Sequence, residues 1–170
     1  MTSLNQNLLI VMLCFIGNIL VLSPTNAQES NANITRMDGF LIAAESAKRS
    51  NPEQSIIDAQ KALSLAKGED LAASQIKANI KLGWTYSLLQ KYPKAMEYYE
   101  LALADARAIN NQDLELEAWV DWAFLFERTG DYDKAINELL AAQQLAQELG
   151  NQKQMAKIYS NIARVYFNYK

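Results

Sequence analysis

The stretch that decides the fold is Lys81-Leu82-Gly83-Trp84-Thr85-Tyr86. The same kind of stretch returns as Asp121-Trp122-Ala123-Phe124-Leu125-Phe126 and again as Asn161-Ile162-Ala163-Arg164-Val165-Tyr166, each time forty positions further on. In every copy a large apolar residue is followed by a small residue and, three positions later, by an aromatic residue. A fixed period of this length is the signature of stacked structural repeats. The sequence therefore predicts a repeat protein.

Every segment after about Ile34 has the periodicity of an amphipathic helix, and none alternates like a strand. Turn signals separate the segments at Ser50-Asn51-Pro52, Gly68, Asn110-Asn111, Thr129-Gly130-Asp131 and Gly150. Asn51 is expected to cap the second helix with its side chain. Pro52 then stands at the first helical position, where its missing N–H costs nothing. We expect Gly68 to end that helix in a left-handed conformation. Later helices are expected over about 70–90, 93–109, 113–128, 133–149 and 152–169, antiparallel because the loops are short.

These repeated positions resemble the tetratricopeptide repeat family. A repeat of that family has a large residue, Leu-Gly and Tyr in its first helix, then Ala, an aromatic residue and Ala in its second. The best copy in this chain has Asn79, Leu82-Gly83, Tyr86, Ala95, Tyr99 and Ala102. The next has Trp119, Trp122-Ala123, Phe126, Ala135, Leu139 and Ala142, and the last has Tyr159, Ile162-Ala163 and Tyr166 without a second helix. The resemblance implies an all-α fold, a right-handed α-solenoid of antiparallel helix pairs with about seven helices after the N-terminal segment.

The repeats divide the main domain, residues 34–170, into copies at about 36–75, 76–115 and 116–155 and a terminal helix at 156–170. Their period of forty exceeds the 34 residues that are usual in the family. We expect the extra residues to lengthen the helices across 110–116 and 150–155. Gly83, Ala123 and Ala163 are expected to be small because the two helices of a repeat cross there.

Residues 1–27 differ in composition from the rest. An apolar run from Leu8 to Leu22 is followed by Ser23-Pro24, and small residues stand at Thr25 and Ala27. This pattern predicts a signal peptide cut after Ala27, and hence an exported chain, periplasmic or secreted. The alternative is an uncleaved N-terminal anchor, the chain's sole expected contact with a membrane. Residues 28–33 are polar and are expected to form a flexible junction.

The composition argues against enzyme activity and against nucleic-acid binding. The chain has no His, and its basic residues are scattered within a net charge of −3. There is no Gly-rich phosphate loop and no nucleophile elbow, and the sole cysteine, Cys14, lies inside the leader. Asp131 and Asp133 are expected to cap a helix rather than bind calcium. We therefore expect no enzyme activity, no catalytic residue, no metal and no cofactor.

The family resemblance places a ligand-binding groove on the first helix of each repeat. The predicted partner-binding residues are Ile80, Trp84, Leu88, Val120, Phe124, Arg128, Arg164 and Phe167. Trp84 and Phe124 lie about 200° around the helix from the core stripe, so they are either peptide anchors in an apolar groove or a second part of the core. The family's clamp for a C-terminal carboxylate is not expected, because Ile80 and Trp84 stand where it needs Lys and Asn.

The leading hypothesis is therefore a non-enzymatic, exported scaffold that binds a peptide or protein partner in this groove. One alternative is a sensory or regulatory input domain of a signalling system. Another is an assembly factor that self-associates through its last helix, which carries apolar residues over more than one face: Tyr159, Ile162, Val165, Tyr166 and Phe167. An array that ends on such a face needs a cap or a partner.

Overall fold

A computed structural model describes residues 24–169 of the chain, with side chains from residue 27 onward. The chain divides into two units, residues 1–33 and 34–170, and the helical array belongs to the second. Most of the predicted leader, residues 1–23 with Cys14, lies outside the described residues. The predicted cut after Ala27 falls in the first turn of the first described helix.

Within residues 24–169 the regular structure consists of seven helices and no strand. They are α1 (Pro24–Ala47), α2 (Pro52–Gly68), α3 (Ala72–Leu88), α4 (Tyr92–Ala108), α5 (Gln112–Thr129), α6 (Tyr132–Glu148) and α7 (Gln152–Asn168). Consecutive helices from α2 onward pack against each other, and α5 also packs against both α3 and α7. This is the packing of a helical solenoid, and it confirms the predicted all-α class.

The polar residues 28–33 are helical, whereas the sequence suggested a flexible junction. They belong to α1, which begins at Pro24. No Pro or Gly occurs between Thr25 and Asp38, so nothing in this stretch interrupts a helix. Polarity alone was a poor guide, because residues such as Gln and Glu have good helix propensity.

The turns recur every twenty residues with the same backbone conformation. Positive φ angles occur at Asp70 (53°), Gln90 (59°), Asn110 (53°), Gly130 (81°) and Gly150 (63°). The forty-residue period is therefore two equal helix–turn units, and the helices α2 to α7 each have 17 or 18 residues. The extra residues are spread over all of these helices, not concentrated in two as expected. Likewise, α2 runs through Gly68, and the left-handed residue is Asp70.

Side-chain caps follow these turns at four helix starts. Asn51, Asn111, Asp131 and Asn151 each accept a hydrogen bond from the backbone N–H three residues on, at 3.0–3.3 Å. Each bond satisfies one of the N–H groups that a helix leaves free at its start. The predicted capping roles of Asn51 and Asp131 are confirmed.

The two helices of the second repeat cross at Gly83, as predicted. A Cβ atom on this glycine would lie 2.9 Å from Cε1 of Tyr99 on α4, closer than real Cβ contacts. The Tyr99 ring is fully buried and also stacks on Trp122, with 6.2 Å between ring centroids. The ring cannot move aside without disturbing the next repeat, so the spacing of α3 and α4 requires a glycine.

Gly83→Ala is expected to lower the free energy of unfolding by about 1–3 kcal/mol, the usual cost of overfilling a packed core. The matched control is Gly39→Ala, because Gly39 is exposed on α1 and a Cβ atom added to it would meet no neighbouring group within 4 Å. There the higher helix propensity of alanine should leave stability unchanged or slightly raised. Urea unfolding of both variants measures this, and equal stability of the two would contradict the close crossing.

Candidate functional site

The first helices of successive repeats are joined by a column of stacked side chains. Trp84 on α3 stacks on Phe124 on α5, with ring centroids 5.1 Å apart and an angle of 11° between the planes. Arg164 on α7 lies 5.1 Å from the Phe124 ring, and Lys48 next to the end of α1 lies 4.6 Å from the Trp84 ring. We call Lys48, Trp84, Phe124 and Arg164 the cation–aromatic column. Cations over ring faces are attracted by the ring quadrupole, so the column is stabilising at both ends.

Both rings of the column are buried. Trp84 is 6 % exposed and Phe124 is 7 % exposed, within a cluster that includes Leu82 and Tyr86. They do turn away from the crossing of α3 and α4, but α5 packs directly on α3 and covers that side too. The structure thus places them between repeats, which is the second of the two interpretations that the sequence left open. Their role as binding anchors stays a prediction: the stacked faces are covered, while Trp84 also lines a surface hollow.

The other predicted binding residues range from fully buried to exposed. Ile80 and Val120 are buried, at 2 % and 0 % exposure, and Leu88 is half-buried. Arg128 is exposed, and Phe167 is 81 % exposed near the end of α7. The structure brings Trp84, Phe124 and Arg164 into contact. The remaining predicted residues do not join the column.

Arg164 is held in place by a partly buried polar cluster. Its Nη2 lies 2.9 Å from Oε2 of Glu127, which is 8 % exposed, and donates to Oδ1 of Asn161 at 3.1 Å. The other carboxylate oxygen of Glu127 accepts a hydrogen bond from Asn168 at 2.9 Å. A buried carboxylate without these partners would be costly, so the cluster ties α7 to α5 and aims the guanidinium at Phe124.

A groove that we call the polar groove runs across the first helices, and Lys48 and Trp84 of the column are among the residues that line it. It consists of three adjoining hollows with volumes of about 460, 410 and 380 Å³, and Glu117 lines all three. The charged residues that line it come from the first helices and the turns beside them: Asp38, Glu45, Lys48, Lys77, Lys81, Asp113, Glu117, Asp121, Lys153 and Lys157. The sequence predicted an apolar, aromatic groove. Half of the lining residues are charged, and the apolar ones include two of the predicted residues, Ile80 and Trp84.

The charge of the lining alternates from one first helix to the next. The α3 residues are Lys77 and Lys81, the α5 residues are all acidic, and the α7 charges are Lys153 and Lys157. A sequence signal for this exists. Positions 77, 117 and 157, forty residues apart, read Lys, Glu and Lys. The predicted groove residues are the positions around Trp84 and its equivalents, so this charge pattern lies outside them.

Two sets of ion pairs neutralise part of the charge of the groove lining. Glu45 pairs with Lys48 one turn away and with Lys81 across the groove, the latter at 2.8 Å. Burial would raise the pKa of Glu45, but hydrogen bonds from the two lysines and their charges outweigh it and lower the pKa to about 2. Asp121 pairs with Lys157 at 2.7 Å. Burial would lower the pKa of Lys157, yet the charge and hydrogen bond of Asp121 raise it.

Besides Asp38 on α1, three charged side chains of the groove make no ion pair or hydrogen bond with another described residue. They are Lys77 on α3, Glu117 on α5 and Lys153 on α7, and all three line the hollow of about 410 Å³. No ion pair or hydrogen bond of their side chains occurs within residues 27–169, in contrast to Glu45 and Asp121. Lys77 and Lys153 are exposed and accessible to a ligand. Glu117 is half-buried, and its charge also acts on Lys157, whose pKa it helps to raise.

The described part of the chain shows neither a metal site nor a membrane span. Between residues 27 and 169, no group of three or more His, Cys, Asp or Glu side chains is placed to hold a metal ion. Over the same residues, every helix is too short or too polar to cross a membrane.

Comparison with known protein families gives a match to one of the repeats. Residues 76–104 match the family model of the tetratricopeptide repeat. The match covers most of α3 and α4, the helix pair that crosses at Gly83. Comparison of the chain with curated proteins gives no match.

Trp84→Ala is expected to lower the free energy of unfolding by about 3–5 kcal/mol, as for other buried aromatic truncations. Phe167→Ala is the control, because its ring is mostly in solvent and should cost less than about 0.5 kcal/mol. Guanidinium unfolding followed by circular dichroism compares the two. Unchanged stability of Trp84→Ala would show that the ring is free, and would restore it as a binding anchor.

Proposed function

From the match at residues 76–104 and the repeated helix pairs around it, we assign the chain to the tetratricopeptide repeat family and propose that it binds an extended segment of a partner protein in the polar groove. Repeats of this family suggest a protein-interaction scaffold. Such scaffolds are typically not enzymes, and the proposal requires no chemistry from the groove. The position of the groove on four successive first helices carries the proposal, because a bound segment would contact every repeat.

The charged lining supports binding of a peptide rather than of an apolar small molecule. Ligand pockets for small molecules are concave and mostly apolar, with only a few polar groups. This groove has ten charged residues across three hollows that share lining residues. Charged groups on a rigid helical surface give specificity and faster association more than raw affinity. The proposed partner is therefore selected by its charge pattern and held with modest strength.

We further propose that the chain is exported, as the leader of residues 1–27 suggests. The support is the apolar run of residues 8–22 and the small residues before the predicted cut. A partner would then be a periplasmic or secreted protein. If the leader remained uncleaved, residues 1–27 would hold the chain at a membrane.

The groove is tested with a displayed library of random peptides, selected against the chain without its leader. Peptides enriched on the native chain should lose at least tenfold in affinity for the double variant Lys77→Ser with Lys153→Ser. The control double variant, Lys67→Ser with Lys91→Ser, removes the same charge from exposed positions outside the groove and should bind them as before. Equal affinity for both variants, or no enrichment, would contradict the proposed site.

A second candidate function is self-association through α7. By the forty-residue period, Tyr159, Ala163 and Tyr166 correspond to Trp119, Ala123 and Phe126 on α5. On α5, Ala123 and Phe126 are 1 % and 9 % exposed beneath α6, whereas Tyr166 is 55 % exposed. Within the described residues no helix covers α7 as α6 covers α5. A second copy of the chain packing α7 against α7 would bury this face.

Light scattering over a range of concentrations tests this candidate. A mass that rises with concentration and returns to that of a monomer in Phe167→Glu would support it. The control is Leu140→Glu, because Leu140 is 51 % exposed on α6 and lies outside the α7 face. A monomeric mass at every concentration, or equal effects of the two substitutions, would exclude self-association through α7.

A further inference from the structure

We propose that the groove selects partner segments whose side chains are acidic, basic and acidic in that order, through Lys77, Glu117 and Lys153. This inference rests on the proposed function and specifies the chemistry of the partner. The three residues lie on α3, α5 and α7, the first helices of consecutive repeats. An extended segment that crosses the helices therefore meets a positive, a negative and a positive group in turn.

The selectivity follows from which charges remain free. Glu45 and Asp121 are neutralised by Lys81 and Lys157 at 2.8 and 2.7 Å. A fourth charge in the same hollow, Asp113 on α5, stays negative, but a hydrogen bond from Asn151 at 2.8 Å fixes its position beside the start of α7. Lys77, Glu117 and Lys153 have no such partner among the described residues.

Because Glu117 is half-buried, it should distinguish basic from acidic peptide side chains more strongly than the two lysines do. Partial burial reduces solvent screening, so the cost of a like charge beside Glu117 exceeds that at the exposed lysines. An all-acidic segment would satisfy Lys77 and Lys153 but would repel Glu117. An all-basic segment would be repelled twice. The mixed order places an opposite charge beside each of Lys77, Glu117 and Lys153.

The spacing of the repeats sets the spacing of the charges. Axes of packed helices lie about 8–10 Å apart, and an extended chain advances about 3.3 Å per residue. Charges three residues apart in the segment would therefore match first helices in neighbouring repeats. The proposed motif is an acidic residue, a basic residue three positions later and an acidic residue after three more.

Four fluorescein-labelled nine-residue peptides with the same Gly/Ser background test the motif by anisotropy at low salt. Their charged positions, three residues apart, read Asp-Lys-Asp, Lys-Asp-Lys, Asp-Asp-Asp or Ser-Ser-Ser. The first should bind at least tenfold more tightly than any other, with affinity that falls as salt rises. Glu117→Lys should transfer the preference to the all-acidic peptide. Glu117→Gln, which adds no charge, should reduce the preference of Asp-Lys-Asp over Asp-Asp-Asp.

The control substitution is Glu100→Lys, which makes the same charge change at an exposed position of α4 and should leave the preference intact. Far-ultraviolet circular dichroism confirms that each variant is folded. Equal binding of the mixed and all-acidic peptides, absence of binding by all four, or a preference unaffected at Glu117 would overturn the inference. If library-selected peptides still lose affinity for the Lys77 and Lys153 double variant, the proposed function survives that failure. If they do not, both proposals fail.

Discussion

The stacking of Trp84 on Phe124 is the contact on which the arrangement of the repeats depends. It joins α3 to α5 at equivalent positions, with ring centroids 5.1 Å apart, and it continues to Arg164 on α7. Because these positions are used between repeats, little of either ring reaches the surface, although Trp84 still lines one hollow of the groove. Most of the groove lining comes from neighbouring positions on the same helices, and many of those carry lysines and carboxylates. A buried aromatic column and a charged groove are two consequences of the same close packing.

Much of the fold could be predicted from the sequence because its determinants are local or periodic. Asn51 caps the helix that begins at the next residue, and Gly83 is small because Tyr99 lies against it. Both signals lie within one repeat. The conformation of Asp70 and the helical state of residues 28–33 were missed, since a left-handed Asp and a polar helix lack a strong local signal.

The candidate site was harder to predict than the fold. The direction of Trp84 away from the crossing of α3 and α4 follows from helix geometry, and the structure agrees with it. Whether that direction leads to solvent or to the next repeat depends on how closely α5 approaches α3. This distance is set when two repeats pack together, so the sequence of a single repeat does not reveal it. The alternation of charge at positions 77, 117 and 157 was readable, but its meaning required the knowledge that these positions share one groove.

The central claim is that the groove binds its partner through charged side chains while the aromatic column stays closed. The most direct measurement is a crystal structure of the chain, without its leader, bound to the tightest peptide from the displayed library. We expect a peptide in contact with Lys77, Glu117 and Lys153, with the Trp84 and Phe124 rings still stacked at about the present 5.1 Å. A peptide side chain inserted between those two rings, or a peptide bound on another face, would contradict the claim.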